Sequence, residues 1–130
     1  MSKANFAAIA YAAALFTALG VPQAKAGEWT EIGTADDYTV WYVDIDTFAE
    51  IGDTKSIWVR VIPPKLRKFS YTEIKYWKEI NCRNLHSRSL YTVVYWKQKP
   101  TQTFNPKSPP WKPVVPGTMI DTLKDLLCYT

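Results

Sequence analysis

From residue 28 to residue 96 the apolar positions recur mostly at every second residue, the period of a strand that buries one face. A short run, "EWTEIG", is followed by a turn over Gly33 to Asp37. Next comes "YTVWYVD", β-branched and aromatic, which Asp44 and Asp46 are expected to end. Asp46 is then placed to cap a single helical turn, Thr47 to Glu50, ahead of the Gly52-Asp53 break. In "KSIWVRVI", Ile57, Val59 and Val61 alternate with Ser56, Trp58 and Arg60 until Pro63 and Pro64 stop the strand. "YTEIKYWKEINC" sets Ile74, Tyr76, Ile80 and Cys82 on one face and Glu73, Lys75, Trp77 and Glu79 on the other. After a turn at Arg83-Asn84, "LHSRSLYTVVYWK" completes a hairpin with it. Six prolines between Pro100 and Pro116 then predict an extended loop that donates poorly to a sheet.

The period changes only after Gly117. Thr118 followed by Asp121 is a helix-start signal, a hydroxyl for a free N–H and a carboxylate in the positive first turn. Met119, Ile120, Leu123, Leu126 and Leu127 fall on one side, with Asp121, Lys124 and Asp125 outside. A helix of about ten residues is too short to persist alone in water, so it must dock. The expected fold is α+β: an antiparallel sheet of about five to six strands with a C-terminal helix tethered to one face.

The first 26 residues follow another logic. Lys3, an apolar stretch from Phe6 to Val21 and the small-x-small pattern Ala24-Lys25-Ala26 are ordered as in a secretory signal, cleaved after Ala26. The apolar stretch is shorter than the roughly 18 residues of a span and no comparable run follows it, so the mature chain is expected to carry no transmembrane segment. Residues 27–130 then form one domain. The only two cysteines, Cys82 and Cys128, are expected to be bridged in an exported protein. With a single histidine, His86, they fall short of a four-ligand zinc set. The bridge would close about 46 residues, worth roughly 4 kcal/mol in the chain-entropy model, and would draw the helix onto the face of Ile74 and Ile80.

Charge is segregated along the mature chain. Gly27 to Thr54 holds eight acidic residues and no basic one, while Lys55 to Lys112 holds thirteen basic and two acidic. This predicts a dipolar molecule. Lys65, Arg67 and Lys68, just after the Pro63-Pro64 stop, read as an exposed basic tip suited to an acidic surface ligand, or simply as a solvated hairpin end. Trp58, Trp77, Tyr91 and Tyr95 can share the sheet face opposite the helix. So many rings fit either cross-strand packing or an interface with a protein partner, a second copy of the chain included. The basic and aromatic interleaving would suit nucleic acid in a cytosolic protein, but export argues against that partner.

No motif frames catalysis. His86 sits between Arg83 and Arg88 in a polar stretch, Asp44 and Asp46 read as turn formers, and no glycine-rich phosphate loop is present. The expectation is a non-enzymatic domain with no cofactor, no metal and no catalytic residues.

Trp29, Tyr42 to Asp44, the Gly52 turn, Cys82 after a charged aromatic strand, and Pro113-x-x-Pro116-Gly117-Thr118 ahead of a helix closed by Cys128 occur in an order that resembles the surface-adhesin protein E family of Gram-negative bacteria. The resemblance spans nearly all of Gly27 to Cys128. It implies the same disulfide-tethered sheet and helix, no enzymatic activity, dimers in some members, and adhesin-like binding of host matrix proteins or envelope components. No lipid-anchoring cysteine follows the signal, so the periplasm is the expected compartment, with the cell surface or secretion as the others. The alternative is a periplasmic inhibitor or accessory protein of cell-envelope enzymes.

Overall fold

Every alternating run becomes a strand beside its neighbour in sequence. The computed structural model describes residues 28–65 and 68–129. The expected signal peptide, with its cleavage point, and Arg67 lie outside the described residues. The strands are β1 (Thr30–Thr34), β2 (Val40–Ile51), β3 (Thr54–Ile62), β4 (Tyr71–Asn81), β5 (His86–Trp96), β6 (Gln102–Phe104) and the two-residue β7 (Lys112–Pro113), followed by helix α1 (Met119–Cys128). The order across the sheet is β1-β2-β3-β4-β5-β6, antiparallel throughout, and β7 lies on the same edge of β5 as β6. This is the expected antiparallel sheet with one C-terminal helix. The proline-rich stretch is not wholly loop: Gln102–Phe104 and Lys112–Pro113 add to the sheet where only an outer edge is available.

Between β2 and β3, Gly52 takes φ 59° at the first central position of a two-residue turn, as a II′ hairpin requires. In the β4–β5 turn the Asn81 side-chain oxygen accepts from the N–H groups of Arg83 and Asn84, at 2.9 and 3.3 Å.

The expected helical turn at Thr47 to Glu50 does not form, and Asp44 and Asp46 do not end the strand. β2 runs on to Ile51 through a bulge in which Ile45, Asp46, Thr47 and Phe48 stand opposite Ile57 alone. Side chains substitute for the interrupted ladder. Asp46 N–H donates to Asp44 Oδ1 (3.1 Å), the Thr47 hydroxyl donates to Asp44 O (2.7 Å), and Trp58 N–H donates to Thr47 Oγ1 (3.1 Å). Aspartate caps only where free N–H groups need it, and here the partner strand competes for the same backbone.

α1 starts as its sequence signal predicts. Thr118 Oγ1 accepts from Asp121 N–H (3.3 Å), while the Asp121 carboxylate reaches back to Gly117 N–H (3.0 Å). Leu123 and Leu127 are fully buried and join Val43, Ile45, Ile57, Val59, Val61 and Ile80 in one core, with Ile120, Leu126, Ile74 and Tyr76 at its rim. Cys82 and Cys128 are bridged, and this pins the end of α1 to the foot of β4. Lys124 lies on the outward side with Asp121 and Asp125, as its spacing suggests, but is not free in solvent. Its side chain is only 14% exposed, held by Asp121 and Asp125 at 2.9 and 2.7 Å and lying over the Tyr129 ring.

Candidate binding surface

The helix covers one sheet face, so the other is built by the alternate residues of the same strands. Antiparallel partners share a face, and the registers align Asp44, Trp58, Trp77 and Tyr91 in one row across β2 to β5. Trp58 and Trp77 stand directly opposite, with ring centroids 5.7 Å apart, and Tyr91 meets Trp58 edge-on at 6.0 Å. The three rings are half-buried, and none of them belongs to the core that the helix closes.

Ion pairs flank the row on both sides. In the next row toward Ile62, Tyr42, Arg60, Lys75 and Val93 align, and Glu73 holds both Arg60 and Lys75. Arg60 lies 5.9 Å from the centroids of both the Trp29 and Tyr42 rings; Lys75 lies 5.8 Å from Trp29 and 5.3 Å from Tyr95. In the row toward the Gly52 turn, Ser56, Glu79 and Arg88 align, Glu79 pairs with Arg88 at 2.7 Å, and Arg88 stacks on Trp111 at 4.2 Å. The head of the central row is Asp44, 5% exposed. Burial pushes its carboxyl above the ordinary aspartate range, against the opposing pull of the Asp46 N–H.

The sequence-derived candidates separate into two places. Trp58, Trp77, Tyr91 and Tyr95 do share the open face. Lys65 and Lys68 lie beyond the end of β3, which runs four residues past Trp58, about 13 Å of strand. The structure does not bring the basic tip to the tryptophan pair. Trp29, Tyr42 and Trp111, and the pairing of Arg60, Lys75 and Arg88 with Glu73 and Glu79, escaped sequence reasoning. Alternation placed some of these residues on the right face, but which residues stand side by side depends on register, and the bulges in β2 and β4–β5 set that.

His86 makes local turn contacts. Its Nδ1 lies 3.0 Å from Asn84 O, and its N–H donates to Asn84 Oδ1 at 3.2 Å. Among the described residues no group of three or more His, Cys, Asp or Glu side chains is placed to hold a metal ion. No helix among them is long and apolar enough to cross a membrane.

Among the described residues the chain is an antiparallel meander with one helix stapled to one face and a row of rings on the other, and the model of the surface-adhesin protein E family matches residues 29–129. The chain belongs to that family. Its fold is similar to that of Haemophilus influenzae protein E, with a TM-score of 0.54 at 13% identity over 78% of this chain and 84% of that one. A second crystal form of the same protein gives 0.51 at 14% identity, over 68% and 79%. No curated protein matches the sequence.

Proposed function

We propose that this chain is an exported, non-catalytic, adhesin-like protein that receives a protein partner on the helix-free sheet face, with Trp58, Trp77 and Tyr91 at the centre of the contact. Family membership supports an adhesin-like surface protein. The observation that carries the choice of face is the row of rings outside the helix-closed core, bordered by cations already paired with Glu73 and Glu79. Such a surface offers apolar area without a large charge to desolvate, and tryptophan and tyrosine anchors dominate the energetics of interfaces of this kind. Cleavage of residues 1–26 would deliver the domain to the periplasm or beyond it. The partner class is a host matrix protein or an envelope component.

Binding of the mature protein to immobilised matrix proteins and to intact cell envelopes tests this reading. Trp77→Ala should weaken binding by more than tenfold, and His86→Ala should leave it nearly unchanged. Equal affinities for the two variants would move the contact off this face. Surface labelling of intact cells separates the adhesin from a periplasmic accessory protein, which would stay protected. Sedimentation of the same variants shows whether the partner is a second copy.

A further inference from the structure

We propose that Lys78 and Lys112 form a receiving site for one oxyanion group of a ligand, on the helix-bearing side of the sheet. Alternation along β4 carries Tyr76, Lys78 and Ile80 to that side, and Lys78 stands between buried Ile57 on β3 and Ser89 on β5. One row further on, Ile80 pairs with Ser87, and Ser87 pairs with Lys112 of β7, so the second lysine shares the face. The Lys78 ammonium lies 4.6 Å from the centroid of the Tyr76 ring.

The site stands out by what its cation lacks. Five lysine and arginine side chains are carried by β3, β4 and β5. Lys55 pairs with Glu50, Arg60 and Lys75 with Glu73, and Arg88 with Glu79. Lys78 holds no carboxylate among the described residues, although it is half-buried and Lys112 adds a second cation to its surroundings. The charged groups of α1 do not serve it, because Asp121 and Asp125 are both taken by Lys124. Burial, with a smaller push from Lys112, lowers the Lys78 ammonium to about 8. An ammonium in this setting is stabilised by an opposite charge more than one in water would be. Two ammonium groups on one face, with the Ser87 and Ser89 hydroxyls on the strand between them, supply the donors that a sulfate, phosphate or carboxylate needs. A sulfated glycan, a phosphorylated headgroup and an acidic sugar share this chemistry.

The site uses none of the residues of the aromatic face, so its test is independent of the adhesin reading. Protein labelled at lysine Cε is titrated by NMR in sodium chloride, then at matched ionic strength in sulfate, phosphate or acetate. Lys78→Gln identifies the resonance. In at least one oxyanion the Lys78 midpoint should rise by about one pH unit, a tenfold gain in proton affinity, and Lys112→Gln should remove most of that rise. The anion that acts separates the three sources. A midpoint that moves no further in any oxyanion than in chloride overturns the site, as does a rise that survives Lys112→Gln undiminished. Lys107, exposed and outside the strands, serves as the internal control in every titration.

Discussion

At the scale of single residues, the side chains that matter most replace backbone. Thr47 donates to the carbonyl of Asp44 and accepts from Trp58 N–H, so its hydroxyl spans the bulge that lets β2 continue. Thr47→Val keeps the shape and leaves that N–H without an acceptor, an expected loss of about 1–3 kcal/mol in urea unfolding, whereas Thr47→Ser should retain most of the stability. Sequence reasoning placed a strand end here because the aspartates look like turn formers. It could not weigh a hydroxyl eleven positions before the N–H it serves. Lys78 was equally illegible, since a lysine within an alternating strand reads as solvated. Its depressed ionisation has a measurable sign. Below pH 8 folded and unfolded chains both carry the proton, while between about 8 and 10 the unfolded chain keeps it and the folded one releases it, so stability rises with pH across that window. Lys112 shares the cation's surroundings, and Tyr71 and Tyr76, both raised by burial, oppose the trend only above about pH 10. The urea midpoint of the wild type should therefore be higher at pH 9.5 than at pH 7.5. An equal rise in Lys78→Met would sink the assignment.

At the scale of elements, the helix was the most legible part of the chain. A cap signal, a 3.6-residue period and a terminal cysteine all agree, and each is local. Leu123, with no exposed surface, and Thr122, exposed beside it, give the test. Leu123→Ala should cost about 2–5 kcal/mol in denaturant melts by leaving a cavity against the sheet. Thr122→Ala should change stability by no more than about 0.5 kcal/mol. Small and equal effects would detach the helix from the core. Lys124 shows what the pattern leaves out: it lies outside, as spacing put it, and there Asp121 and Asp125 fold it down along the helix. Those two carboxylates hold its ammonium above the ordinary lysine value, Asp125 first. The strands were legible in number and in facing. The pieces β6 and β7 were not, because two or three residues between prolines carry no period of their own.

At the scale of the whole molecule, the charge segregation of the sequence is partly cancelled by the sheet. The only two acids of the Lys55 to Lys112 segment, Glu73 and Glu79, are both engaged by its own cations on the open face, and Glu50 of the acidic segment pairs with Lys55. Facing was readable from alternation, but the single row of rings needed register, and the separation of Lys65 and Lys68 from it needed strand length. The meander has a further consequence in time. Each strand from β2 to β6 pairs with the one just before it, so a chain emerging from its amino end can zip up strand by strand, without waiting for distant segments. Cys128 follows every strand, so in a chain emerging from its amino end the bond to Cys82 is the last link that can be made. Oxidation is then the finishing step, not the organiser. Refolding in reductant should regain strand pairing, read by far-ultraviolet circular dichroism, while residues 119–128 exchange their amide hydrogens faster than in the oxidised protein. If the sheet itself fails to form without the bond, the order of events is reversed. A cell that withholds oxidant would accumulate sheets with unlatched tails, their apolar roof ajar.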